Sequence, residues 1–149
     1  EHTAGKQLGL PEEHMKIAWQ GWRGMKWEQM RGGNDLTSRK TPALIEDMRK
    51  DLEALMADSK ACLAWSDIIQ RGEWRGAISP QGIEKARKKV NRAMHKLMCS
   101  SGNGVIRHDN IRHWQTQLFR KDKVHLTEEG LDLFWANIRN FIGEWWRSQ

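Results

Sequence analysis

The sequence has no tyrosine, three prolines and only two cysteines among its 149 residues. Cys62 and Cys99 stand far apart and form no Cys-x-x-Cys, so neither a disulfide framework nor a zinc site is indicated. They read as two buried thiols in a reducing compartment. No window approaches 18 consecutive apolar residues, so no membrane-spanning helix is expected. No basic-then-apolar leader opens the chain. The expected setting is intracellular, cytoplasmic or nuclear, with no membrane partner. The chain starts at Glu1 rather than Met and reads as a fragment.

What is present is a mixed composition, 38% hydrophobic and 30% charged, which suits a single globular domain over 1–149. Lys and Arg number 25 against 19 acidic residues, giving a formal charge of +6. The isoelectric point is near 9.6. That balance admits nucleic acid or acidic surfaces as partners, though the excess is modest. Nine tryptophans follow no repeat and are expected mainly as core or half-buried anchors.

Along the chain, residues 1–12 lack periodicity and read as a loop. Met15–Trp19 alternates apolar and polar residues as a short strand does, followed by Gly21 and Gly24. Arg31–Asp35 is a turn by composition. Thr41 and Pro42 then offer a cap and a first helical residue, with Ile45, Met48, Leu52 and Leu55 as the buried stripe. Ala61–Trp65 is a short apolar run, expected as a strand buried on both faces. A loop over Gln70–Ser79 leads to Pro80, which opens a second helix with Ile83, Ala86, Val90, Ala93 and Leu97 on one face and Gly102 as its stop. Gly104–Arg107 reads as a third strand and residues 108–126 as irregular. Thr127 caps a last helix whose apolar face is Leu131, Phe134, Ile138, Phe141 or Ile142, and Trp145.

Strands alternating with long helices predict an α/β fold around a parallel sheet. Ligands of such sheets bind beyond the carboxyl ends of the strands. That rule gathers the loops at 20–24, 31–36, 66–79 and 108–126 on one rim. Three strands are few to cover with three long helices, so the fold is expected to be incomplete.

Three constellations on that rim could carry chemistry. In Asp122-Lys123-Val124-His125 a carboxylate three residues before a histidine can turn back to its Nδ1–H, leaving Nε2 as a general base. In Gly32-Gly33-Asn34-Asp35 the glycines allow close approach of a ligand, and the Asn34 amide can donate to an oxyanion. In Trp19–Met25 the Gly24 N–H can serve as a second oxyanion donor. Each alone is a common surface turn.

In this order, the three together resemble the SGNH/GDSL hydrolase superfamily: the block II glycine at Gly24, the block III Gly-x-Asn-Asp at Gly32–Asp35, and the block V Asp-x-x-His at Asp122 and His125. Trp65-Ser66-Asp67-Ile68, Trp74-Arg75-Gly76-Ala77, Val105-Ile106-Arg107-His108 and Val124–Phe134 look like the subgroup carried by some retrotransposons. The resemblance covers about Trp19 to Phe141. It implies a three-layer αβα, flavodoxin-like fold and acyl-ester hydrolysis with no cofactor. His125 would be the base, Asp122 its orienting carboxylate, Gly24 and Asn34 the oxyanion donors, and Trp74 and Arg75 part of the substrate rim; the partner would be a small-molecule ester. The pattern also requires a strand followed by Gly-x-Ser, and none occurs in the 149 residues. Ser38, Ser66 and Ser79 lie nearest the rim but read as turn or cap residues. The charged segment Lys26–Arg31 stands where the family has an apolar strand, which reads as an internal deletion; Lys123 replaces a more usual glycine. The expectation is a truncated domain without a nucleophile.

Two other readings compete. The run Lys85, Arg87, Lys88, Lys89, Arg92 and Lys96 on the second helix could hold nucleic acid weakly, or be a solvated face. His108, Asp109 and His113 offer three potential ligands within six residues, but without a fourth partner the spacing is poor evidence for a metal.

Overall fold

The computed structural model describes residues 35–58 and 63–148. In order these form α1 (Asp35–Ser38), α2 (Thr41–Asp58), β1 (Ala64–Ser66), α3 (Pro80–Ser100), β2 (Gly104–Ile106) and α4 (Glu128–Arg147). The expected strand at Met15–Trp19, the start of the one at Ala61 and the segment Lys26–Arg31 lie outside the described residues.

Helix α3 has both of its predicted ends. Ser79 is extended and its Oγ accepts the Gly82 N–H at 3.1 Å, with Pro80 in the first turn where its missing N–H costs nothing. At the other end Gly102 takes a left-handed φ of 69°, and the Asn103 N–H reaches back to the Met98 carbonyl at 2.8 Å. Val90, Met94 and Met98 are completely buried. Side chains of that kind each contribute about 1.5–3 kcal/mol on burial. The buried stripe is centred on Val90–Met94–Met98, while the expected Ala93 and Leu97 are half-buried. α3 packs against α2 on one side and both strands on another, which widens its buried arc. On α2 the fully buried residue is Leu44, beside the expected Met48.

The two strands are parallel, with Trp65 opposite Val105 and Ser66 opposite Ile106. Their alternation divides two cores. Trp65 packs with Val90, Met94, Leu44 and Trp74 on the α2/α3 side. Ile106 packs with Phe134, Ile138 and Phe141 of α4 on the other. A side chain on Gly104 would collide with the Phe141 ring, so α4 lies directly on that face. The described residues are thus a parallel strand pair with helices on both faces, an α/β arrangement. β1 is not buried on both sides as expected: Ala64 is exposed and Trp65 and Ser66 half-buried.

Three further expectations are corrected. Leu131 is 40% exposed, and Trp135 rather than Leu131 joins the apolar face of α4. Cys99 is exposed, because it shares the outward arc of α3 with Arg92 and Lys96; Cys62 lies outside the described residues. Residues 108–126 are not merely polar loop, since Ile111, Leu118 and Phe119 form a small core of their own beneath α4. No helix among the described residues is long and apolar enough to cross a membrane.

Candidate functional site

The carboxyl ends of β1 and β2 run into the segments 67–79 and 107–127, and backbone bonds stitch the two together. Asp67 N–H donates to the Ile106 carbonyl at 3.0 Å and Gly72 N–H to the Lys123 carbonyl at 2.9 Å. His113 donates to the Gln70 Oε1 from Nδ1 at 3.1 Å. Two of the four predicted rim loops therefore meet. Residues 20–24 lie outside the described residues, as do 31–34.

The Asp122–His125 pair is built by a closed turn. Phe119 and Leu126 form an antiparallel bridge at its neck. Arg120 N–H donates to the His125 carbonyl at 2.8 Å, and Lys123 N–H to the Arg120 carbonyl at 2.8 Å. Inside the turn, Asp122 Oδ1 accepts the Val124 N–H at 2.9 Å and the His125 N–H at 3.0 Å. Its Oδ2 accepts from His125 Nδ1 at 2.6 Å. The His125 imidazole, then the His125 and Val124 amides, hold the Asp122 carboxyl well below the usual carboxylate range. Asp122 therefore stays ionised at neutral pH, fixing the proton on Nδ1 and leaving Nε2 with its lone pair. The His125 side chain is 66% exposed, and Nε2 meets no partner among the described residues. Lys123 sits at φ 56°, the left-handed region that suits glycine, which is the local reason a glycine fits this position better.

The remaining predicted residues are placed unevenly. Gly24 and Asn34 lie outside the described residues. Trp74 is buried in the α2/α3 core with the Arg71 guanidinium 5.2 Å from its ring, so it lines no open rim; Arg75 is exposed. Ser79 is a helix cap as expected. Ser66 is not a cap: its Oγ lies 2.9 Å from His108 Nε2.

That contact opens a second cluster which the sequence did not reveal. His108, 6% exposed, stacks on Phe134 with ring centroids 4.3 Å apart. Asn137 Nδ2 donates to His108 Nδ1 at 3.0 Å and also to Asn110 Oδ1 at 2.7 Å. An N–H aimed at Nδ1 places the imidazole proton on Nε2, which then donates to Ser66. In this tautomer His108 cannot take the serine proton, so the cluster is a strand-end clamp rather than an activated serine. Burial pushes the His108 imidazole below its ordinary value, against the opposing fields of Asp67 and Asp109. The unfolded chain takes up this proton near pH 6.5 and the folded one resists it. Stability from this group is thus complete above about pH 6.5 and falls as the pH drops below it. The His108 Cε1–H resonance is expected to be less than half-shifted at pH 6.5, where a free imidazole is half-titrated. In His108→Gln the loss of stability on acidification below that pH should be shallower.

The basic run of α3 also separates. Arg87 is buried: its guanidinium makes a two-pronged contact with Glu84 at 2.8 and 2.7 Å and donates to the Ile68 carbonyl at 2.8 Å. It belongs to the architecture. Lys85, Lys88, Lys89, Arg92 and Lys96 remain exposed, within an arc of about 100°. His108, Asp109 and His113 do not converge, and no group of three potential metal ligands occurs among the described residues.

Comparison with protein-family models, curated proteins and solved structures returned no match.

Proposed function

We propose that this chain is a hydrolase-like domain of the SGNH/GDSL type, akin to the SGNH domains carried by retrotransposons, in an incomplete three-layer αβα, flavodoxin-like form. The observation that carries the reading is the 2.6 Å bond from His125 Nδ1 to Asp122 Oδ2, on a rim beyond the carboxyl ends of parallel strands. A carboxylate that fixes the tautomer and leaves Nε2 outward is the base half of acyl-transfer chemistry. In this reading Nε2 accepts the proton of an attacking serine. The Gly24 N–H and the Asn34 amide stabilise the tetrahedral oxyanion, and the substrate is a small-molecule ester.

The nucleophile is what these 149 residues lack. They contain no Gly-x-Ser, and no serine hydroxyl contacts His125 among the described residues. Ser66 faces a histidine in the wrong tautomer and Ser79 is a cap. The chain as it stands is therefore a pseudoenzyme, with a base and its orienting carboxylate but no serine for them to activate. Incubation with a fluorophosphonate probe should leave it unlabelled, and p-nitrophenyl acetate should turn over at the background rate. Stoichiometric labelling lost in His125→Ala would show a serine in reach of the pair and overturn the inactivity. Labelling lost in Ser66→Ala but kept in His125→Ala would move the chemistry to the Ser66–His108 cluster and overturn the role given to His125.

A further inference from the structure

The segments after β1 and β2 and one side of α3 enclose a pocket of about 400 Å³, large enough for a small ligand. Five cationic side chains line it. Arg87 is committed to Glu84 and Ile68, but the other four are poorly neutralised. Arg92 has no hydrogen-bond or ion-pair partner among the described residues. Arg107 and Lys88 reach carboxylates only at 4.0 Å, in exposed pairs worth little. The Arg112 guanidinium lies 5.8 Å from the Trp114 ring centre rather than on a carboxylate. Against these stand Asp109 and Asp67, and Asp67 is already tied to His95 at 2.6 Å. Four cations and two carboxylates leave two positive charges, carried on two walls: α3 on one side, the segment after β2 on the other.

We propose that this pocket binds a phosphoryl anion, gripped between Arg92 of α3 and Arg107 and Arg112 of the segment following β2. Guanidinium side chains line the pocket from two walls, and the planar N–H fork of a guanidinium suits a tetrahedral oxyanion. The surplus of two charges matches one phosphate monoester or two successive phosphodiesters. The location, beyond the carboxyl ends of parallel strands, is where such sheets take ligands. The proposal is independent of the Asp122–His125 reading, since neither residue lines the pocket. Two sources supply the same chemistry. One is a free phosphorylated small molecule. The other is the backbone of a single-stranded nucleic acid continuing along Lys85, Lys89 and Lys96, with a base stacked on Trp114, which is 63% exposed.

The test titrates the chain at low salt with pyrophosphate and, separately, with a fluorescent 20-mer oligothymidylate. Pyrophosphate is expected to bind and to shift the backbone amides of Gln70, Arg92 and Arg107 in the unmutated protein. The double variant Arg92→Ala/Arg112→Ala should raise its Kd by about tenfold or more with an unchanged melting temperature. The exposed pair Arg49→Ala/Lys50→Ala on α2 should not alter it. Oligonucleotide binding that pyrophosphate displaces and Trp114→Ala weakens assigns the anion to a strand backbone. Pyrophosphate binding with no oligonucleotide competition assigns it to a small phosphorylated molecule. Absence of millimolar pyrophosphate binding, amide shifts elsewhere on the surface, or equal weakening by the α2 pair would overturn the site.

Discussion

Gly130→Ala is expected to destabilise the protein by about 2–3 kcal/mol, the range of an overpacked contact that cannot relax by moving a flexible side chain. Gly130 is buried in the first turn of α4, and a methyl there would run into the backbone carbonyl of Leu118 and come within 3.0 Å of the Leu126 side chain. The Leu118 carbonyl is already an acceptor for the Thr127 N–H at 3.0 Å. Thr127 in turn donates its hydroxyl to the Gln117 carbonyl at 2.7 Å and accepts the Gly130 N–H at 3.2 Å. One added carbon therefore pushes apart the 3₁₀ turn at Thr116–Leu118, the cap of α4 and the Phe119–Leu126 bridge. Alanine's better helix propensity, about 1 kcal/mol, offsets only part of this. The loss should appear as a melting temperature lower by roughly 5–10 °C. Because the same bridge closes the turn holding Asp122 and His125, the His125 imidazole resonances should shift too. A stability within about 0.5 kcal/mol of the parent would mean that α4 does not rest on Leu118.

What could be read from the chain was what depends on near neighbours. Ser79-Pro80, Thr127-Glu128-Glu129 and Gly102 mark helix ends because capping acts within one turn. Asp122 and His125 were legible for the same reason: a separation of three lets the side chain return to the ring without help from the rest of the fold. Ser66, His108 and Asn137 were not legible, since β1, β2 and α4 bring them together only once strand register is set. The pocket cations were hidden likewise. Arg87 looked like one more charge in a solvated run, but it is buried beside Val90 and held by Glu84 and the Ile68 carbonyl, whereas Arg92 is exposed. The phase of each helix was read less well than its span, because periodicity gives the stripe while neighbouring layers decide its width and centre. Met94 and Met98 are buried for that reason and Leu131 is not.

Asn91→Ala should cost about 2–3 kcal/mol, although asparagine is no part of any apolar stripe. Asn91 is buried on α3, and its amide treats Ile68 as a neighbouring strand would. Oδ1 accepts the Ile68 N–H at 3.1 Å and Nδ2 donates to the Ile68 carbonyl at 3.1 Å. Ile68 lies two residues past the end of β1, where the ladder to β2 has stopped and its peptide needs other partners. Truncation leaves the carbonyl with Arg87 but the half-buried N–H without its protein acceptor, a penalty of about 1–3 kcal/mol for an orphaned donor. The space left by the amide adds to it. Two replacements separate these causes. Asn91→Leu fills the space but leaves the N–H orphaned, so it should be about as damaging as alanine. Asn91→Asp keeps an acceptor for the N–H but sets a carboxylate oxygen against the Ile68 carbonyl, and should recover part of the loss only at acid pH, where the protonated carboxyl donates. Denaturant unfolding at two pH values measures all three. If Asn91→Leu proves as stable as the parent, packing rather than the Ile68 peptide holds the segment 67–70, and the rim rests on α3 through shape alone.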